Sequence, residues 1–222
     1  MSFKYEYVTD KEFLFRVRKA CNEDMKKIED VLRRKHSISC QYFLIGSGAK
    51  NLITTDSNGL IDLDYNFNVS KGMEYDERNL KISFMNSCNE VMRASGLKDV
   101  QDSTSAISTR IMHFKDDPQK REFKIDIGIV TFKNDKWYRL IHEKNPFDRY
   151  YWNPVKDSND YRRKADELKK YPELWLETRD EYLRLKNLYL SRNDHNHPSF
   201  ICYIEAINNI YNKHLNKSLL RW

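Results

Sequence analysis

Residues Gly46–Phe67 read GSGAKNLITTDSNGLIDLDYNF, and the second half of this stretch decides the fold. Ile61, Leu63, Tyr65, Phe67 and Val69 alternate with Asp62, Asp64, Asn66 and Asn68. A period of two is that of a strand with one buried face, so both aspartates project from the opposite face. Upstream, ISCQYFLIGSG reads as a short buried strand, Tyr42 to Ile45, running into a turn at Gly46 and Gly48. Downstream, REFKIDIGIV sends Ile125, Ile127 and Ile129 one way and Asp126 the other.

The remaining chain fits around these strands. Thr9 and Glu12 form a capping box, followed by Leu14, Val17, Cys21, Met25, Ile28 and Leu32 at helical steps, with RRKH at Arg33 to His36 as a helix C-terminus. Asp76 to Ala94 repeats the pattern with Leu80, Phe84, Cys88 and Val91, and Gly96 supplies a cap. SAISTRIMHF and REFKIDIGIV flank the turn KDDPQK as a hairpin, and KWYRLI adds an edge strand. NPFDRYYWNPVKDSND reads as irregular. Helices then cover Tyr161 to Tyr171, a break at Pro172, Trp175 to Leu190, and Ser199 to Leu219 after Pro198. The expectation is an α/β (α+β) protein, with a mixed-sheet core over residues 1–150 and a C-terminal helical subdomain over 151–222 forming the other wall of a cleft.

Composition excludes a disordered chain, since 13% of the residues are aromatic. Lys and Arg exceed Asp and Glu by 39 to 33, a net charge of +6 that tilts the chain mildly toward anionic partners such as nucleotides or RNA. Cys21, Cys40, Cys88 and Cys202 lie far apart without a C-x-x-C pair, and no N-terminal apolar run suggests a signal peptide or a membrane span. A reduced, cytoplasmic protein is expected. His195 and His197 lack Cys or His partners at metal spacing.

The ordered triple IGSGAKN, LIDLDYN and FKIDIGI, within roughly residues 40–132, resembles the nucleotidyltransferase superfamily related to DNA polymerase beta. The resemblance implies that Asp62, Asp64 and Asp126 bind metal and carry catalysis, with Asp126 assisting deprotonation of the acceptor, and that Gly46 and Ser47 hold a triphosphate. It further implies two magnesium ions, or manganese in their place, and transfer of a nucleoside monophosphate from an NTP such as ATP to a hydroxyl of RNA, a nucleotide, a protein or a small molecule. Three carboxylates suit that chemistry, because hard cations on oxygen ligands stabilise the charge that an in-line displacement builds on phosphoryl oxygens. Lys50 joins the nucleotide-binding set on charge alone. The interval from Ser47 to Asp62, containing TTDSNG, is longer than in many relatives and reads as a flap or extended loop.

Other readings stay open. Asp62 and Asp64 fit an ordinary solvent-facing strand that Asn66 and Asn68 continue, and Asp126 with Lys124 fits an exposed ion pair. FDRYYWNP suits base stacking, with Arg149 on phosphate, or packing between subdomains. A catalytically silent nucleotide- or RNA-binding module is one alternative. Another is a toxin-antitoxin element, since Arg192, Asn193 and His197 are similar to the R-polar-x-x-x-H pattern of HEPN-type ribonucleases. The base, the acceptor and the oligomeric state are open.

Overall fold

The computed structural model describes residues 4–55, 59–72, 75–155, 159–189 and 198–215. In chain order the elements are β1 (Glu6–Tyr7), α1 (Lys11–His36), β2 (Ser39–Leu44), α2 (Gly46–Lys50), β3 (Thr54–Thr55), β4 (Ile61–Lys71), α3 (Glu77–Ala94), β5 (Gln101–Asp102), β6 (Ile107–Ser108), β7 (Phe123–Lys133), β8 (Lys136–Glu143), β9 (Arg149–Pro154), α4 (Asn159–Leu168), α5 (Pro172–Tyr189) and α6 (Ser199–His214). Contacts separate two compact units, one from the described residues of 8–53 and 59–156, the other from those of 1–7, 54–58 and 157–222.

The first unit is a mixed sheet of order β2-β4-β7-β6-β5, with β8 pairing β7 and β9 pairing β8. Its centre is the parallel pair β4–β7, and Ile61, Leu63, Tyr65 and Phe67 of β4 lie beside Phe123, Ile125, Ile127 and Ile129 of β7. All eight are buried, in one core with Phe13, Val17, Cys21, Met25 and Ile28 of α1 and Leu80, Phe84 and Cys88 of α3. Burial of that many large apolar side chains, at roughly 25 cal/mol per Å², is the main force holding the strands in this register. A slip of one residue would turn the aspartates inward. Burial also pushes the thiols of Cys21, Cys40 and Cys88 up to about 12, which leaves them inert.

Local chemistry moves several expected boundaries. The cap of α1 is Asp10, not Thr9: its carboxylate accepts from the Phe13 amide at 2.9 Å and also pairs with Arg121. β2 is a sheet edge and not a buried strand, since Phe43 is 39% exposed. RYYWNP is regular, forming β9, which leaves β8 with a neighbour on both sides instead of at the edge. There Tyr150 stacks on His142 at 3.9 Å, and the Arg149 guanidinium sits over the Tyr151 ring.

In the second unit the expected break between helices falls at residues 169–171, and Pro172 is the first residue of α5, where no amide donor is needed. Thr54 and Thr55, from the long interval after Ser47, pair with Tyr7 and Glu6 as a two-stranded sheet. The Tyr7 hydroxyl donates to the Arg179 carbonyl at 2.8 Å, Asn187 bonds both backbone groups of Tyr5, and Lys186 reaches Thr54. Of the described part of the interval, residues 47–50 belong to α2 and Thr54–Thr55 form a strand. Arg192, Asn193, His195 and His197 lie outside the described residues. Among the described residues no helix is long and apolar enough to cross a membrane.

Candidate functional site

Parallel pairing sets Asp64 of β4 directly beside Asp126 of β7, and Asp62 beside Lys124. One face of two neighbouring strands thus carries all three aspartates predicted from the sequence. Lys124 Nζ lies 3.4 Å from Asp62 Oδ1 and 3.7 Å from Asp126 Oδ2, an ammonium shared between two carboxylates. Burial pulls the Lys124 amine down, but Asp62 and Asp126 outweigh it and raise its pKa. The carboxyl of Asp64 is raised above its ordinary value by burial first, then by the charges of Asp126 and Asp62, with Arg139 and Lys124 opposing. Asp126 Oδ1 is buried and has no hydrogen-bond partner.

The glycine-serine stretch meets this row from the end of β2. It forms a single helical turn, α2, instead of a loop. The Ile45 amide donates to the Asp64 carbonyl at 2.8 Å, fixing the turn against β4. Gly46 has φ +62, and a Cβ there would collide with the Asp64 carboxylate, so glycine is demanded both by conformation and by space. Lys50 Nζ donates to the Gly46 carbonyl at 3.1 Å, placing its charge on the turn itself. Arg18 of α1 holds the other end, with Nη2 donating to the Gly48 carbonyl at 2.8 Å and to Asn51 Oδ1 at 2.9 Å.

Sequence reasoning did not reach Arg18 or Arg139. Arg139 comes from β8, donates through Nη2 to Asn66 Oδ1 at 2.9 Å, and lies in the field of Asp64. Burial lowers the pKa of its guanidinium, and Asp64 partly offsets that. A Cβ on Gly128 would overlap both the guanidinium and the Asn66 amide. That glycine, in the middle of IDIGIV, is the one available signal, since an interior strand glycine marks close approach of another group.

The donor set suits a hard divalent cation: carboxylate oxygens only, one of them buried without a partner. Among the described residues no three His, Cys, Asp or Glu side chains are already grouped to hold a metal. Lys124 lies between Asp62 and Asp126. The residues fit the cation in chemistry.

The sequence matches no family model and no curated protein. Among solved structures, the chain is similar to the cyclic AMP-GMP synthase DncV of Vibrio cholerae in complex with the linear intermediate 5' pppA(3',5')pG, with a TM-score of 0.65, 9% identity, and coverage of 94% of this chain and 69% of that one. It is also similar to the STING-associated c-di-GMP synthase CdnE of Capnocytophaga granulosa, with a TM-score of 0.59, 18% identity, and coverage of 94% and 64%. CdnC of E. coli MS115-1 with ATP gives a TM-score of 0.52, 14% identity, and coverage of 93% and 62%. The chain thus spans 69%, 64% and 62% of the length of these three proteins. At such identities the likeness is one of architecture: the chain has the mixed α+β fold of the polymerase-beta type of nucleotidyltransferase.

Proposed function

We propose that this protein is a magnesium-dependent nucleotidyltransferase that moves a nucleoside monophosphate from an NTP to an acceptor hydroxyl. The observation that carries the reading is the register Asp64–Asp126, with Asp62 two residues along and Gly46 packed against the Asp64 carboxylate. Gly46 and Ser47 are assigned to the triphosphate: glycine lets the backbone approach it, and a hydroxyl with helix-start amides donates to its oxygens. Magnesium or manganese held by Asp62, Asp64 and Asp126 would supply charge stabilisation to the phosphoryl oxygens.

The acceptor oxygen forms the new bond to the α-phosphorus, and the bond from that phosphorus to the pyrophosphate oxygen breaks. Asp126, whose Oδ2 faces Lys124 at 3.7 Å on the row, takes the hydroxyl proton. With a cation held by the aspartates, Lys124 would be available to meet the anionic substrate. Among the acceptors left open, a second nucleotide is favoured, because two of the similar proteins are dinucleotide synthases. The test is incubation with each α-labelled NTP and magnesium, with and without total RNA. A labelled dinucleotide is expected, labelled RNA or protein would move the acceptor, and no labelled product would sink the reading.

A catalytically silent nucleotide-binding module is the second reading, and Lys124 favours it. An ammonium between two carboxylates balances charge without any metal. That reading expects NTP binding without product in the same assay.

A further inference from the structure

The sheet of the first unit ends at β2, which pairs with β4 alone. Antiparallel pairing turns the backbone groups of alternate residues toward the neighbouring strand and those between them away from it. The Ile45 amide donates to the Asp64 carbonyl, so Gln41 and Phe43 also meet β4, while Tyr42 and Leu44 direct their amides to the open side. Among the described residues no hydrogen bond engages the amide of Tyr42 or Leu44. The strand, SCQYFL, holds neither a charge nor a proline, two features by which edge strands repel an added strand.

Side chains add chemistry on both faces of this edge. On the α1 side a groove of about 780 Å³ lies beside Tyr42. Its lining includes Phe15, 70% exposed, and four cations, Arg18, Lys19, Lys26 and Lys27, against one carboxylate, Glu23. Lys26 and Lys27 pair with Glu29 and Asp24 of α1 itself, and Arg18 is bonded to the Gly48 carbonyl. Lys19 is exposed, and no hydrogen bond or ion pair engages it among the described residues. On the opposite face Phe43, 39% exposed, has its ring 6.3 Å from that of Trp137.

We propose that β2 takes up an extended acidic segment of a partner protein as an added strand of the sheet. Main-chain bonds to the open amides hold the segment, and alternate side chains set its chemistry. Residues opposite Tyr42 and Leu44 face α1 and are acidic, and those between them face Phe43 and are apolar. A second copy of the chain is disfavoured as the occupant. Its own β2 carries no acid to meet Lys19, and pairing two copies edge to edge would bring both sets of α1 cations together. The proposal stands apart from the transferase reading and uses none of its residues.

The probe is a fluorescent peptide of alternating glutamate and valine, titrated against the full chain by anisotropy. It is expected to bind once per chain below about millimolar concentration. Methylating the backbone nitrogens of its glutamates, which face β2 in this register, should weaken binding at least about tenfold, and methylating those of its valines should leave it within about twofold. Amide exchange followed by NMR should slow at Tyr42 and Leu44 when the peptide is added and stay unchanged at Gln41 and Phe43, which are already bonded to β4. Lys19→Glu should weaken binding at least about threefold at low salt and melt with the parent, since the replaced side chain is exposed. No binding below about millimolar, equal loss from the two methylation patterns, or unchanged exchange at both open amides overturns the proposal. Equal affinity in Lys19→Glu and parent, or tighter binding of a lysine-valine peptide, overturns its acidic partner. Concentration-dependent dimers that protect Tyr42 and Leu44 without any peptide would give the edge to a second copy and overturn it as well.

Discussion

Two polar clusters of the first unit set aspartates among cations, and they end in opposite electrostatic states. Around His142 every charge has a partner. Lys81, 2% exposed, donates to the carbonyls of Ser103 and Ala106 at 3.1 and 3.0 Å and sits 3.1 Å from Asp102 Oδ1, at ion-pair distance though off hydrogen-bonding angle. His142 lies between Asp102 and Asp148, and Arg78 closes the far side of Asp148. Hydrogen bonds from His142 and then Arg78 hold the Asp148 carboxyl below its ordinary value. On the β4–β7 row three carboxylates share Lys124 and the field of Arg139, Asp64 is held above its ordinary value, and Asp126, like Asp102, keeps one buried oxygen outside any hydrogen bond. A cluster that serves the fold pairs its charges within the chain, while a row with more carboxylates than cations is the arrangement that the proposed cation site requires.

The contrast breaks most visibly if the row proves dispensable. Asp62→Asn or Asp64→Asn removes a charged ligand from the proposed cation site and should lower turnover by about 10³-fold or more, several kcal/mol of transition-state stabilisation, and weaken magnesium-dependent NTP binding. Full activity in Asp62→Asn would end the transferase assignment. Asp126→Asn should lower turnover by ~10²-fold or more but leave NTP affinity within a few-fold, because its contribution is expressed when the acceptor oxygen attacks. Single-turnover rates beside calorimetric affinities separate these effects, and equal rates in Asp126→Asn and parent would remove Asp126 from the site.

The paired cluster should respond in the other way. Lys81→Ala leaves Asp102 and two carbonyls without their buried cation, and should cost ~3 kcal/mol of stability while NTP affinity per folded molecule stays unchanged. Denaturant midpoints and NTP titration on one preparation check both halves. A loss of NTP affinity in a variant as stable as the parent would mean that this cluster also serves ligand.

The sequence made the row legible and left its surroundings obscure, for a physical reason. Alternation along β4 and β7 is local, so the faces of Asp62, Asp64 and Asp126 follow from a period of two. That Asp64 stands opposite Asp126 is a register between residues 62 positions apart, and no local pattern encodes it. Arg139 stands opposite Val130 on the β7–β8 hairpin, but its bond to Asn66 joins residues 73 positions apart, and only Gly128 hints at it. β9 escaped because the Asn, Asp and Pro residues around it resemble a loop, although its aromatics suit a strand and Tyr150 and Tyr151 find partners on β8. Arg18 escaped because its stripe on α1 reads as helix periphery until the Gly46 turn is placed beside it.

The smallest expected effect is the most direct measure of the charge imbalance. Asp64 binds its proton more tightly in the folded chain than in the unfolded one, because burial and then Asp126 and Asp62 oppose its ionisation. Between its ordinary value of 3.8 and the raised one, the folded state therefore holds more protons, and stability falls as pH rises through that window. Asp64→Asn has no proton to lose there. In EDTA the variant should gain on the parent as pH climbs above 3.8 and hold a constant advantage at neutral pH, visible as a modestly higher Tm. Magnesium should invert the order at neutral pH, since the parent binds the ion in its folded state and the variant has lost a ligand for it. If parent and variant kept the same difference in Tm from acid to neutral pH, with and without magnesium, Asp64 would be an ordinary strand carboxylate and the row would be no different in kind from the cluster around His142.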